Sequence, residues 1–365
     1  MDLRSTGATV LRTLGHHRRA RRLLRTHRFR PGLYRYREGI WVNTDANQDP
    51  ELMRTKGRRR PRPSLGGALD RLAAQPVRNR DGDMSGATTL LHKGYESLLF
   101  APADGRVERL SARPRFTSEF TYLRTRMSRH IPAPSFEVTD EGRRLIESWL
   151  PGHVVNGLSM DEQVDCAQAL LADYASLVQA EATGSSGDFA ARAMRALRGA
   201  AIPAALRDVL AEPLFGEFIG TGPLSPSHGE PGANNLMRSE GVTHLIDWEP
   251  EYLAWRPFWH DPSYLVAIWD YRPLAAGAFD AALARIWQAA DLPPPDLARQ
   301  RHLVAAAGAV ATATARWTAG ATTPSTVQDA RSGEVTQQQP DPTPVSAART
   351  AKIEQRWHWW ETASA

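Results

Sequence analysis

The sequence predicts an α+β protein: a small, mostly antiparallel sheet with one helix, then a larger, mainly helical part, behind a basic N-terminal extension. Three observations carry this. Short apolar runs of strand length alternate with turn residues between positions 87 and 149. After Gly152 apolar residues recur at helical spacing. Hydrophobic residues make up 42% of the 365 positions and charged residues 23%, which supplies a large core and excludes a wholly disordered chain.

The formal net charge of +5 conceals an asymmetry. Residues 1–80 hold 20 Lys and Arg against 6 Asp and Glu, a net of +14, and the remaining 285 hold 25 against 34, a net of −9. Such a basic extension can hold nucleic acid, an acidic peptide or a membrane surface, or it can fold back on the acidic body. Residues 9–30 read as a helix in which Arg18, Arg19, Arg21, Arg22 and Arg25 crowd around Val10, Leu11, Leu14, Leu23 and Leu24, ending before Pro31. His16 and His17 read as part of a solvated face. Tyr34, Tyr36 and Trp41 then alternate loosely, as in a strand or edge hairpin, and residues 54–64 read as a linker. No apolar run is long enough to span a membrane. The single cysteine, Cys166, excludes an intrachain disulfide and a Cys-rich zinc site and reads as inert core. No signal-type segment follows the start, so a cytoplasmic protein is expected.

The sheet is expected over residues 87–152. Runs 87–92, 97–102 and 106–111 read as strands, with Asp104-Gly105 as a hairpin turn between the last two. A helix is expected over 117–129 with Phe120 and Leu123 on one face. Pro132-Ala133-Pro134 breaks it, and 136–138 and 144–149 read as two further strands around Glu141-Gly142. The helical part, 153–319, opens with Ser159 and Glu162 three residues apart, a capping box. Behind it Val164, Ala167, Leu170, Leu171, Tyr174, Leu177 and Val178 repeat at helical spacing. Further helices are expected at 189–198, 204–210, 264–269, 275–289 and 296–318, interrupted by a strand pair at 235–238 and 243–247. Residues 320–350 read as a disordered linker. It leads to a segment, 351–365, whose Trp357, Trp359 and Trp360 predict docking on another surface.

The chemistry-bearing stretch is Ser227-His228-Gly229-Glu230-Pro231-Gly232-Ala233-Asn234-Asn235-Leu236, followed by His244-Leu245-Ile246-Asp247-Trp248-Glu249. A loop with Glu230 five residues before Asn235, and a hairpin returning with Asp247, can aim all three at one phosphoryl group. Asn235 and Asp247 are hard oxygen donors suited to Mg²⁺ with its waters. Phosphoryl transfer needs such a metal, plus a carboxylate that orients the attacking hydroxyl. Singly, an Asn in a turn and an Asp at a strand end are ordinary turn residues; their order and spacing mark a site. His228 is expected to pack under the loop. Trp248, Trp255, Trp259 and Trp269 could line an apolar acceptor pocket, with core the expected place for at least half of them.

These motifs resemble the aminoglycoside phosphotransferase and choline kinase-like family of small-molecule kinases, over roughly residues 87–318. That family has H-G-D-x-x-x-x-N where this chain has His228, Gly229, Glu230 and Asn235, and I-D-W/F-E where it has Ile246-Asp247-Trp248-Glu249. The resemblance implies a two-lobed protein-kinase-like fold that binds ATP and Mg²⁺. It implies that Lys93 and Gly94 lie in a phosphate-covering loop and that Arg109 neutralises the α/β-phosphates with Glu119 orienting it. It further implies that adenine pairs with backbone around Glu147–Trp149, ahead of Pro151-Gly152. Asn235 and Asp247 would hold Mg²⁺, with Glu230 the catalytic carboxylate. Three departures stand out. Glu230 replaces the family Asp, Gly94 is the one glycine of its loop, and Leu265 replaces a second Asp that usually braces the catalytic loop.

The expected function is ATP-dependent transfer of a phosphoryl group to a hydroxyl. The acceptor is either an antibiotic-like small molecule, the acidic body suiting a polycationic aminoglycoside, or Ser/Thr of a biosynthetic peptide. In the second case the basic extension would hold an acidic leader and a partner lyase would eliminate the phosphate. The alternative is a pseudokinase scaffold that binds a nucleotide or leader peptide and positions a partner enzyme. A nucleic-acid binder working through the extension would instead show steep salt dependence. Neither membrane nor nucleic acid is an expected partner of the kinase reading.

Overall fold

The computed structural model describes residues 17–37, 40–45, 76–80, 82–83, 86–92, 96–198, 200–267, 272–315 and 345–364. The Lys93-Gly94 turn, the expected linker at 54–64 and most of that at 320–350 lie outside the described residues. Tertiary contacts divide the chain into two units, 1–117 with 134–151, and 118–133 with 152–365.

The first unit is built on an eight-stranded sheet. Its strands are β1 (Gly32–Arg37), β2 (Ile40–Asn43), β3 (Val77–Asn79), β4 (Thr89–His92), β5 (Glu96–Ala101), β6 (Arg106–Ser111), β7 (Phe136–Thr139) and β8 (Arg144–Ser148). They lie in the order β3-β1-β2-β4-β5-β6-β8-β7, and every neighbouring pair is antiparallel. The β5–β6 hairpin turns where Asp104-Gly105 predicts, with Gly105 at φ +64°. Because β2 pairs with β4, placing Trp41 opposite Leu90, the extension expected over 1–86 supplies strands to the sheet itself.

A helix, α1, described over 17–23, sets Ala20, with Leu24 just beyond its end, against Phe29, Tyr34, Trp41, Val77, Leu90 and Leu99. The fold-back reading of the basic extension therefore holds for its described residues, while Arg18, Arg19, Arg22 and Arg25 stay exposed. Two expectations are corrected here. The helix stops at 23 instead of continuing to 30, where the Thr26 hydroxyl donates to the Leu23 carbonyl and the chain turns to bury Phe29. His17 is buried against the edges of Tyr36 and Trp41, not on a solvated face.

The second unit is mainly helical. It contains α2 (Ser118–Met127), α3 (Met160–Glu181), α4 (Gly187–Arg198), α5 (Ala204–Ala211), α6 (Pro213–Gly220), α7 (His260–Ala267), α8 (Arg272–Ala275), α9 (Asp280–Ala289), α10 (Leu297–Thr314) and α11 (Ala347–Ser364). Its strands are β9 (His153–Val154), β10 (Leu224–Ser227), β11 (Leu236–Ser239), β12 (Val242–Leu245) and β13 (Ala254–Pro257). β10 pairs with β13, and β11 lies between β12 and β9. The Ser159–Glu162 capping box forms, and the predicted apolar stripe of α3 is buried with Cys166. Sequence periodicity missed α6, which opens with Pro213 in its first turn. The expected helix 275–289 is two pieces separated by Gly277 at φ +81°.

α10 is buried along most of its length and packs on α7. A Cβ at Gly308 would lie 2.1 Å from that of Ala267, so the close approach requires glycine. The C-terminal segment starts earlier than expected, since residues 347–350 are already helical, and α11 packs on α10 and α8. Ile353, Trp357 and Trp360 are buried, so docking holds for two of the three tryptophans, while Trp359 stays 41% exposed. Among the described residues no helix is long and apolar enough to cross a membrane.

Candidate active site

The site is built in the second unit, where β10 delivers Ser227 into the loop His228–Asn235. Gly229 takes φ +86°, and a Cβ there would come within 2.5 Å of the Tyr252 carbonyl oxygen, so only glycine makes this turn. The loop closes with a 3-10 turn, Ala233–Asn235, in which the Asn235 N–H donates to the Gly232 carbonyl at 2.7 Å. Asn235 Nδ2 donates to the Glu230 carbonyl at 2.9 Å. With its nitrogen so used, the amide presents Oδ1 as its acceptor atom.

The β11–β12 hairpin returns the chain beside this amide: the Ile246 N–H donates to the Asn235 carbonyl at 2.8 Å. Asp247 follows directly, half-buried and at φ +61°, a left-handed conformation that costs a non-glycine residue about 1–3 kcal/mol and clusters at functional sites. Trp248 is fully buried, donates Nε1–H to the Leu245 carbonyl and meets the His228 ring edge-on at 4.9 Å. Glu230, Asn235 and Asp247 thus belong to one loop–hairpin junction, as the sequence spacing predicts. Among the described residues no group of three or more His, Cys, Asp and Glu side chains could hold a metal. An amide oxygen and one carboxylate are a donor set that fits Mg²⁺, which keeps several waters and takes its remaining ligands from phosphate.

The loop is braced by Asp261, in the helix that also carries Leu265. The buried Asp261 carboxylate accepts from the His228 N–H at 2.6 Å, the Gly229 N–H at 3.1 Å, the Ser227 hydroxyl at 2.6 Å and the Tyr174 hydroxyl at 2.8 Å. Leu265 is fully buried in the same helix, α7. The brace seen here comes from the helix's first turn. Burial alone would raise the Asp261 pKa, but the His260 hydrogen bond and charge, then Ser227 and Arg256, hold it below the usual carboxylate range. His228 is pushed down to about 4, chiefly by burial, and is neutral at pH 7; it packs under the loop as expected.

On the other side of Glu230 stands a residue that sequence reading did not select. Arg349 of α11 places Nη2 3.5 Å from Glu230 Oε1, with the two side chains 16% and 23% exposed. Its Nη1 donates to the Thr312 carbonyl. Arg256, fully buried, donates to the Ser227 hydroxyl, the Tyr252 carbonyl and the Ala315 carbonyl. No sequence signal marks Arg349, which lies 119 residues from its partner.

In the first unit, Arg109 on β6 and Glu96 on β5 form a buried, two-pronged pair, Nε to Oε1 at 3.1 Å and Nη2 to Oε2 at 3.2 Å. Arg115 adds a second guanidinium at 3.0 Å from Glu96. Arg109 stands opposite Leu98, so Glu96 is its diagonal neighbour on the same face of the sheet. Within the first unit the acid holding Arg109 is Glu96; Glu119 belongs to the second unit and is exposed in the first turn of α2. Glu147 is buried in β8. The Ser148 N–H donates to the Ser135 carbonyl and the Trp149 N–H to the Gly105 carbonyl. The Trp149 carbonyl and the Leu150 N–H have no partner among the described residues.

No family model matches the chain, and no curated protein matches it. Solved structures do resemble it. A choline/ethanolamine kinase family protein from Mesorhizobium loti is 12% identical over 74% of this chain and 85% of its own, with a TM-score of 0.43. A macrolide 2'-phosphotransferase from Brachybacterium faecium is 18% identical over 60% of this chain and 81% of its own, with a TM-score of 0.41. An aminoglycoside phosphotransferase from Streptomyces rimosus is 16% identical over 60% of this chain and 90% of its own, with a TM-score of 0.38. These three structures are of a kinase family protein and two phosphotransferases.

Proposed function

We propose that the chain is an ATP- and Mg²⁺-dependent phosphotransferase that moves a phosphoryl group to a hydroxyl acceptor, a small molecule or a peptide Ser/Thr. One local observation carries this reading. Asn235 Nδ2 is tied to the Glu230 carbonyl while the Ile246 N–H, one residue before Asp247, is tied to the Asn235 carbonyl, which supports a shared role for the Asn235 amide and Asp247. Asn235 and Asp247 would hold Mg²⁺, which when bound neutralises charge on the phosphate oxygens. Glu230 accepts the proton of the attacking hydroxyl and orients it. Asp261 fixes the loop that carries Glu230. Arg109, held by Glu96, is the proposed phosphate contact of the first unit, and the Trp149 carbonyl with the Leu150 N–H its proposed adenine contacts.

The full-length protein is expected to bind Mg²⁺·ATP in calorimetry and to hydrolyse it slowly. Asp247→Ala should lower that hydrolysis about a hundredfold or more, because metal placement is lost. Neither binding nor turnover in the unaltered protein would sink the reading. A scaffold that binds nucleotide without turnover is the competing interpretation, and the Arg349–Glu230 contact is the observation in its favour. Glu230→Asp separates the two. Any change in hydrolysis rate marks the carboxylate as working, and binding with no turnover in either form marks a scaffold.

A further inference from the structure

We propose that Arg349 selects the acceptor, and that this acceptor carries an oxyanion, a carboxylate or a phosphate, close to the hydroxyl that Glu230 addresses. The proposal rests on the phosphotransferase reading and gives its acceptor a charge. Arg349 is anchored and incompletely used. One end of its guanidinium donates to the Thr312 carbonyl, and the other stands 3.5 Å from Glu230, longer than the 2.7–2.9 Å of a tight charge-assisted bond. A guanidinium has five N–H donors, and those of Arg349 beyond these two have no partner among the described residues. The side chain is partly open to solvent. A planar fork with spare donors is suited to an incoming oxyanion.

The surroundings have the same sign. Arg256 interacts electrostatically with both Glu230 and Arg349. Tyr264 senses Glu230, Arg356 and Arg349 together, and Arg356 lies 5.2 Å over its ring. Arg356 sits seven residues after Arg349, on the same face of α11, and donates to the Thr312 hydroxyl. Three guanidinium groups, Arg256, Arg349 and Arg356, therefore gather near two carboxylates, Glu230 and Asp261, within a body whose net charge beyond residue 80 is −9. This local reversal opposes a polycationic acceptor, the aminoglycoside type that the overall charge suggests, because like charges brought together on binding are penalised.

Three sugars of one size and different charge test the proposal: glucuronate, glucose and glucosamine. Each is offered to the full-length protein with Mg²⁺ and γ-labelled ATP, and binding of each is measured by calorimetry with and without Mg²⁺·ATP. Glucuronate should be bound or phosphorylated about tenfold or more better than glucosamine, the worth of one charge-assisted bond. Arg349→Glu should abolish or reverse that ranking, and Arg349→Lys should keep its direction, with near-UV circular dichroism confirming the fold of both. No anion preference in the unaltered protein, or a preference that survives in a folded Arg349→Glu variant, overturns the proposal. Failure to bind Mg²⁺·ATP would remove the phosphotransferase reading, while nucleotide-free binding of the three sugars still decides what Arg349 does.

Discussion

At the scale of single residues, the site depends on buried polar groups whose charge states differ. Asp261 is ionised and saturated with donors, whereas His228 and His260 are neutral, each pushed down to about 4 chiefly by burial and only partly opposed by Asp261. An unfolded histidine titrates near 6.5, so between about pH 4 and 6.5 the unfolded chain binds more protons than the native one. Stability is then complete above 6.5 and falls as pH drops through that window, by about 2 kcal/mol for each histidine at pH 5. Urea unfolding should show a clearly lower midpoint at pH 5 than at pH 7. His228→Phe, which keeps a ring against Trp248, should remove about half of the difference. A pH response unchanged by that substitution would show that His228 is not buried neutral.

At the scale of elements, α11 links packing to chemistry. Trp357 is 3% exposed and Trp360 is 8% exposed, and their burial fixes the helix that carries Arg349. Trp357→Ala should cost about 3–5 kcal/mol as a large buried side chain becomes a cavity. Trp359→Ala, on the exposed side, should change stability by no more than about 0.5 kcal/mol. Equal effects in denaturant unfolding would contradict this docking of the helix. The loop 228–235 takes its shape from Gly229, the Asn235 side chain and Asp261, not from any regular element.

For the whole molecule, the basic extension is structural in its described part. Removing residues 1–86 would strip β1, β2 and β3 from the sheet, leaving β4 as an unpaired edge and uncovering Leu90 and Leu99. An exposed apolar edge strand is a template for aggregation. The truncated chain should therefore run as aggregates in size-exclusion chromatography with light scattering, under conditions where the full chain does not. A monomeric truncation with an unchanged unfolding temperature would restore the view of the extension as a separable arm.

The sequence by itself determined what depends on near neighbours. The Asp104-Gly105 hairpin, the Ser159–Glu162 cap, the stripe of α3 and the grouping of Glu230, Asn235 and Asp247 all follow from turn chemistry and spacing within some twenty residues. Only the tertiary structure decided the partners. Arg109 pairs with Glu96 because sheet register puts them on one face, and Asp261 braces the loop from the first turn of α7. Arg349 reaches Glu230 across 119 residues because buried tryptophans dock its helix there. Propensity and turn chemistry are local, whereas the pairing of a buried charge is set by which surfaces the whole core brings together.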